Sequence, residues 1–142
     1  PVISVVELGV IRDIQFINNE YVISVTPTYS GCPAVKTFQD DIHTELINNN
    51  ILNFKMIIVY KPAWTTDWLT EKGRTKLREY GIAPPENETD KSTLFADPVV
   101  VPCPQCKSKN TRLISQFGST ACKAHYQCND CLEPFDYFKC LK

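Results

Sequence analysis

The sequence predicts an α+β protein in which a small mixed sheet with two to three helices is followed by a short β module that binds a metal ion. Three observations support this prediction. Apolar runs rich in β-branched residues alternate with helical periodicity in the first part of the chain. A polar, turn-rich segment follows at residues 86–98. Behind it, four cysteines stand in two closely spaced pairs. We therefore expect a first domain at 1–85, a linker at 86–100 and a second domain at 101–142.

The first domain opens with a predicted β-hairpin at residues 10–28. Two β-branched runs are separated there by Asn18-Asn19-Glu20, which is a turn signal. Pro27 lacks a backbone N–H and therefore fits the end of the second strand. A third strand is predicted at 51–60. Its apolar residues fall on both faces, which favours a strand that is central in its sheet or well covered.

Two helices are predicted in the same domain. Apolar residues recur with the spacing of one helical face from residue 33 to residue 48. A shorter helix is expected over residues 69–80, with Thr66 or Asp67 as its N-terminal cap. Gly81 stands where a helix commonly ends in a left-handed residue. Both helices lie between or after predicted strands, as an α+β domain requires.

A single cysteine, Cys32, comes directly before the first predicted helix. The free N–H groups and the positive end of the dipole at a helix N-terminus stabilise a thiolate, which favours a functional thiol. The alternative is a buried free cysteine that acts as a small hydrophobic residue. The position before the helix favours the hypothesis of a functional thiol.

Four cysteines form two Cys-x-x-Cys pairs near the C-terminus: Cys103, Cys106, Cys128 and Cys131. Each pair brings two thiolates to one ion, and two pairs complete the tetrahedral sulfur shell that suits zinc. Short strands are predicted around them at 110–117, 121–127 and 133–138, which would make a zinc ribbon. An iron–sulfur cluster and a pair of disulfides are the alternatives, and the spacing favours zinc over both. With so small an apolar core, the metal must supply much of the folding free energy.

Other residues of interest lie outside these pairs. Cys122 and Cys140 are each a further ligand, a reactive thiol or part of the core, and core or redox support is favoured because four thiolates already close a zinc site. His125 could replace one cysteine ligand, which we do not expect. Trp64 and Trp68 either pack at the start of a helix or form a docking patch for a partner, and the sequence leaves both alternatives open.

Composition is that of a globular protein, with 142 residues, 43% hydrophobic residues and a net charge of −1. Residues 101–142 carry six Lys and Arg against three Asp and Glu, too weak an excess to indicate nucleic-acid binding by itself. No apolar run approaches the ~18–20 residues that span a bilayer, and the first residues lack the basic segment of a secretory signal. Seven cysteines, four of them in zinc-like pairs, fit a reducing compartment. We expect a cytoplasmic protein without membrane contact.

Several stretches resemble known proteins. Residues 5–14 and 26–33, the latter reading Thr-Pro-Thr-Tyr-Ser-Gly-Cys-Pro, resemble the small α+β domain of bacterial iron–sulfur cluster assembly factors. That domain often begins with Asp-Pro-Glu-Ile-Pro, so we expect a few residues to precede this chain. Further stretches resemble the D-subunit family of the phenylacetyl-CoA epoxidase systems of bacterial phenylacetate degradation: 62–68, 73–74, 80–85, 117–123 and 133–140.

The resemblance implies an accessory protein that helps to mature or assemble the multicomponent oxygenase, the ring-1,2-epoxidase of phenylacetate catabolism. It places epoxidation in a di-iron subunit and electron transfer in a flavin and iron–sulfur reductase. It also implies that Cys32 handles a transient iron–sulfur cluster. One thiolate cannot hold a cluster, so further ligands would come from a second copy in a homodimer, from a partner subunit or from the ribbon.

The sequence offers no catalytic residue for epoxidation. Neither His43 nor His125 is preceded by Glu in a Glu-x-x-His pair, and there is no Gly-x-Gly-x-x-Gly for a dinucleotide. A nucleic-acid-binding zinc ribbon and a non-catalytic structural subunit of the oxygenase are alternative functions. A thiol enzyme with Cys32 as nucleophile is a third, but His43, the histidine on the same predicted helix, lies eleven residues further along it. We expect partners among the oxygenase and reductase subunits, and no catalytic activity of its own.

Overall fold

The computed structural model describes residues 2–85 and 99–139. The elements of the first part are β1 Ile11–Ile17, β2 Glu20–Val25, α1 Val35–Asn48, β3 Phe54–Ile58, a 3₁₀ turn Thr66–Trp68, α2 Glu71–Glu79 and β4 Ile82–Ala83. The second part contains β5 Thr111–Ser115, β6 Lys123–Cys128 and β7 Pro134–Phe138. One sheet has the order β1-β2-β3 and the other β4-β7-β6-β5. The predicted α+β class is confirmed.

The predicted hairpin is present as β1 and β2. Ile17 lies opposite Glu20, which leaves Asn18 and Asn19 as a two-residue turn. Both asparagines have positive φ, 50° and 61°. A tight turn between right-twisted strands needs this conformation, and asparagine adopts it more readily than most residues. The register of this hairpin is therefore set locally.

Among the described residues the third strand lies at the edge of its sheet with one face exposed, so the prediction of a central or well-covered strand is wrong. β3 pairs in parallel with β2, from Tyr21 opposite Phe54 to Val25 opposite Ile58. Helix α1 makes the crossover that a parallel pair requires. Alternate residues of β3 point away from the core, and Ile57 is 42% exposed. The prediction failed because β3 carries apolar residues on both faces although the core covers only one of them.

The two helices form where they were expected, with shifted ends. Helix α1 begins at Val35, two residues after the predicted start. Helix α2 is capped by Thr70, whose side-chain oxygen accepts from the N–H of Gly73 at 3.0 Å. The predicted cap residues Thr66 and Asp67 form the 3₁₀ turn instead. Gly81 follows α2 with a φ of 88°, as predicted.

A first hydrophobic core joins the two parts of the chain. Its members are Leu8, Val10, Ile23, Val25, Ile42, Trp64, Leu69, Leu77, Ile82 and Phe138. Phe138 comes from β7, and its ring meets that of Trp64 edge-on at 5.9 Å between centroids. Trp64 is 2% exposed and donates from Nε1 to the carbonyl of Leu8 at 2.9 Å. Trp68 is half-buried beneath the Arg12 guanidinium, 3.4 Å from its ring centre. Both tryptophans therefore serve packing.

The second sheet contains the three predicted ribbon strands and a fourth that was not predicted. β6 pairs antiparallel with both β5 and β7. β4 adds to the other side of β7, with Ile82 opposite Asp136 and Ala83 opposite Tyr137. β4 was not predicted because a strand of two residues is too short to show an alternating pattern in the sequence. The domain boundaries at 85 and 101 stay a prediction, because residues 86–98 lie outside the described part of the chain.

Neither helix in residues 2–85 and 99–139 has the length and apolar content that crossing a membrane requires.

Candidate metal centre and thiol site

The two Cys-x-x-Cys segments fold as matching turns at one end of the second sheet. The N–H of Cys103 donates to the carbonyl of Ser108, and the N–H of Cys128 donates to that of Glu133, both at 2.9 Å. The residue after the second cysteine of each pair has positive φ, 65° at Lys107 and 64° at Leu132. Equivalent backbone geometry thus turns both pairs toward one point.

The four sulfur atoms lie within 4.8 Å of one another. Cys103 Sγ is 3.7 Å from Cys131 Sγ, and Cys106 Sγ is 3.6 Å from Cys128 Sγ. Zinc–sulfur bonds of about 2.3 Å in a tetrahedron place neighbouring sulfurs about 3.8 Å apart. The spacing therefore fits a four-thiolate zinc shell, and it is far longer than the roughly 2.05 Å of a disulfide bond.

The electrostatics of the four thiols favour a bound cation. The N–H of Cys131, followed by that of Asp130, lowers the pKa of Cys128 to about 7. At Cys131 the N–H of Glu133 favours the thiolate, but burial and the sulfurs of Cys106, Cys128 and Cys103 outweigh it and raise the pKa to about 12. All four thiolates cannot form together unless a positive ion offsets their repulsion.

Cys32 lies apart from this group, in the loop between β2 and α1. Its N–H donates to the carbonyl of Tyr29 at 3.2 Å, and its own carbonyl accepts from the N–H of Val35 at 3.3 Å. The hydroxyl of Thr28 donates to Cys32 Sγ at 3.7 Å. The thiol is half-buried. The same loop lines a cavity of about 310 Å³ formed by Thr26, Pro27, Thr28, Tyr29, Ser30, Tyr60, Ala63 and Trp64.

Comparison with known proteins identifies the family. Residues 87–139 match the model of the PaaD zinc beta ribbon domain. An Escherichia coli K12 protein named as the D subunit of 1,2-phenylacetyl-CoA epoxidase is 46% identical over 141 residues, which cover 99% of this chain and 84% of that protein. The chain belongs to the D-subunit family of the phenylacetyl-CoA epoxidases.

Two solved structures are also similar to this chain. A DUF59 domain of unknown function from Bacillus anthracis is 26% identical. The match covers 50% of this chain and 70% of the Bacillus chain, with a TM-score of 0.46. A Mycobacterium tuberculosis protein described as associated with Fe–S complex assembly and repair is 31% identical. The match covers 56% of this chain and 71% of that protein, with a TM-score of 0.32.

In this member of the D-subunit family, side chains also tie the two zinc-ribbon turns together. The Asp130 carboxylate accepts from the Ser108 hydroxyl and, at 2.7 Å, from Nδ2 of Asn110. These bonds, that from Ser108 first, lower the pKa of Asp130. Nδ2 of Asn129 donates to Oδ1 of Asn110 at 2.9 Å. These residues were not predicted, because Asn, Ser and Asp near a turn are common without any metal.

The remaining candidate residues occupy other places. His125 lies outside the sulfur group, with Nδ1 3.5 Å from Oδ1 of Asp136. His43 is exposed on α1, where its ring makes an edge-type contact with that of Phe54. Cys122 is half-buried against the first core, which agrees with the favoured packing role. Cys140 lies outside the described residues.

Proposed function

We propose that this chain is a cytoplasmic accessory factor of the phenylacetyl-CoA epoxidase that helps to assemble metal or iron–sulfur centres in the oxygenase or its reductase, without catalysing epoxidation. Its near full-length similarity to a protein named as the D subunit of that enzyme supports the link to the epoxidase system. The setting of Cys32 carries the maturation role.

The chemistry of Cys32 suits transient binding of iron as cargo. A thiolate is a soft ligand that iron–sulfur species accept readily. The Thr28 hydroxyl at 3.7 Å can stabilise a sulfur anion, and partial burial limits contact with water. A site that supplies few ligands of its own leaves coordination positions for the donor and the acceptor. Such a site can pass a cluster on, whereas a closed shell would keep it.

The ribbon serves a different purpose in this proposal. A four-thiolate shell of Cys103, Cys106, Cys128 and Cys131 has no open position, so zinc there is structural. The inner sulfurs of Cys103 and Cys128 are buried, which ties the ion to the second core. Zinc would hold β6 and β7 in place and, through Phe138, support the first core.

Cells that express the epoxidase system without this protein test the proposal. We expect the oxygenase and reductase subunits to be present but low in iron or sulfide when purified. Cys32→Ser should reproduce the deletion, and His43→Ala, a change at an exposed residue, should not. Iron, sulfide and epoxidase activity are measured on the purified proteins.

The opposite result has a clear meaning. Full iron and sulfide content with lost turnover would make this chain a working structural subunit of the oxygenase, and the maturation role would be abandoned. A normal enzyme from the Cys32→Ser cells, with a deficient one from the deletion cells, would place the role elsewhere on the protein.

A further inference from the structure

Helix α1 covers only part of one face of the first sheet. Ile14 of β1, Ile23 of β2 and Met56 of β3 lie opposite one another, so their side chains point to the same face. Helix α1 packs on this face through Ile42, which is buried in the first core with Ile23, and Met56 packs against that core. Ile23 is 3% exposed, whereas Ile14 is 58% exposed. The cover therefore ends at β2, and the β1 side of the face stays open.

An apolar groove of about 380 Å³ lies between α1 and β1 on this open side. Ile14 lines it from β1, and Ile42 and Leu46 line it from α1. Val5 and Val6 of the N-terminal segment line it as well, and Val6 is 63% exposed. Proteins that act alone rarely leave such a contiguous apolar surface in water, so the groove indicates a binding surface.

The apolar surface continues along β1 beyond the groove. Phe16 lies two residues after Ile14 on the same face and is 59% exposed. Its ring centre is 4.7 Å from that of Tyr21, the opposite residue on β2, which is 38% exposed. Single exposed apolar residues need no explanation. A row of them that adjoins a groove is typical of a surface that a partner covers.

The helix side of the groove is acidic. Asp41 and Glu45, one turn apart on α1, both line the groove and both are exposed. In residues 2–85 and 99–139 neither carboxylate forms an ion pair, although Oε1 of Glu45 accepts from Nδ2 of Asn49 at 3.2 Å. The described residues that line the groove include no Lys or Arg. A partner that places a basic side chain here would therefore gain charge complementarity.

The same charges argue against other occupants. A second copy of this chain in a two-fold symmetric contact would bring the patch against itself, with Asp41 and Glu45 on both sides and no basic lining residue to offset them. Like charges brought together in this way suppress the pairing. An anionic membrane surface and a nucleic acid are repelled by the same two carboxylates.

The geometry favours a helix over a strand as the occupant. β1 lies at the edge of the described sheet, but an added strand would pair in the plane of the sheet and leave Ile14 and Phe16 uncovered. Helices that cover a sheet face pack side by side, about 8–10 Å apart. A helix beside α1 would cover Ile14 and Phe16 and bring its polar flank to Asp41 and Glu45.

We propose that the groove between α1 and β1 is a docking site for an amphipathic helix of a partner protein. The apolar stripe of that helix covers Ile14 and Phe16, and a flanking Lys or Arg faces Asp41 and Glu45. Its source, a subunit of the oxygenase or its reductase, rests on the proposed function. Such helices bind through a few apolar anchors, so Ile14 should account for much of the affinity.

The first test measures binding of the full chain, loaded with zinc, to the purified oxygenase and reductase subunits. Ile14→Glu places a charge in the groove and should weaken binding about tenfold or more. Ile57→Glu is the matched control, because Ile57 is 42% exposed on the opposite face of the same sheet, and it should bind normally. Circular dichroism and zinc content check that each variant is folded.

Two neighbouring residues test the role of charge. Asp41→Lys should weaken binding about fivefold and reduce its dependence on salt, because Asp41 lines the groove. Asp40→Lys makes the same change of charge one residue away. Asp40 lies outside the groove lining and pairs with Lys36 at 3.3 Å, so its substitution should weaken binding much less.

A cross-link identifies the occupant and leaves the groove intact. p-Benzoylphenylalanine in place of Phe16 keeps an aromatic side chain at the site and, on illumination of the complex, should join one segment of the partner. Mass spectrometry should show that this segment has apolar residues at helical spacing, flanked by Lys or Arg. A cross-link to an acidic segment, to one without helical spacing, or to a second copy of this chain would overturn the proposal.

Other outcomes separate the docking site from the accessory function. Normal binding by Ile14→Glu, no binding of the wild type to any oxygenase or reductase subunit, or a wild-type dimer that Ile14→Glu dissociates in sedimentation would each overturn the docking site. The accessory function would survive all three if oxygenase from cells without this protein still lacks iron. Binding through the groove, with full iron and sulfide in those cells, would keep the docking site and refute the maturation role.

Discussion

Glu7 shows how one buried carboxylate fixes the N-terminal segment to helix α2. Its Oε2 accepts from the N–H of Ser4 at 2.9 Å, while Oγ of Ser4 accepts from the N–H of Glu7 at 3.1 Å. This reciprocal pair is the arrangement of a capping box. Lys76 Nζ is 2.7 Å from Oε1, and Lys72 Nζ is 3.7 Å from the same atom. Glu7 is 7% exposed, so these neighbours replace most of the water that would otherwise stabilise its charge.

The pKa of Glu7 predicts a pH dependence of stability. Lys76, and then the Ser4 N–H, lower this pKa from 4.5 to about 2. A depressed carboxyl pKa contributes stability above the unfolded value, and that stability is lost as the pH falls through the folded one. Glu7→Gln should therefore be less stable than wild type at pH 7, and the difference should shrink between pH 4.5 and about 2.

Urea unfolding midpoints at several pH values measure this difference. Glu79→Gln, at an exposed position of α2, is the matched control and should change the midpoint little at any pH. A deficit of Glu7→Gln that stays constant down to pH 2 would show that packing, not charge, accounts for it.

At the scale of the element, we expect the ribbon turns to depend on the metal more than on packing. Lys107 and Leu132 both have positive φ, which costs free energy in residues other than glycine and asparagine. The second core around these turns is small. Metal–thiolate bonds at the four cysteines would offset both deficits, as they do in small zinc modules generally.

Cys128→Ser should therefore release the metal and unfold the ribbon. We expect about one zinc per wild-type chain and little in the variant, because three thiolates and a hydroxyl bind zinc far more weakly. Cys122→Ser, which lies outside the sulfur group, is the matched control and should keep its zinc. Elemental analysis and hydrogen exchange of β5 to β7 give the readout. Full zinc retention in Cys128→Ser would contradict the assignment of the ligands.

Local signals explain which elements could be predicted from the sequence. The Cys-x-x-Cys spacing and the Asn18-Asn19 turn act over a few residues, and helix α1 repeats its pattern over several turns. The edge position of β3 had no such signal, because apolar side chains such as Ile57 do not reveal whether a second layer covers them. The capping role of Thr70 was also missed, since Thr66 and Asp67 offer the same chemistry four and three residues earlier.

At the scale of the whole molecule, the parts joined by residues 86–98 share one core. The pairing of Ile82 with Asp136 spans a long stretch of sequence, and no periodicity encodes it. The sequence predicts two separate domains, and the position of Phe138 in the first core argues against their independence.

The shared core predicts that the two parts unfold together. Phe138 fills the first core against Trp64, so Phe138→Ala would leave a cavity there and should cost about 3–5 kcal/mol. The loss should appear in the first part of the chain, in the exchange of β2 amides, although the substitution is in the ribbon. Phe16→Ala, on the exposed face of β1, is the matched control and should have little effect. Removing zinc from wild type with a chelator should lower the unfolding temperature of both parts, because β7 then no longer holds Phe138 in place. If β2 keeps its protection in Phe138→Ala and in the chelated protein, while the ribbon alone exchanges freely, the two parts fold independently and the junction contributes no stability.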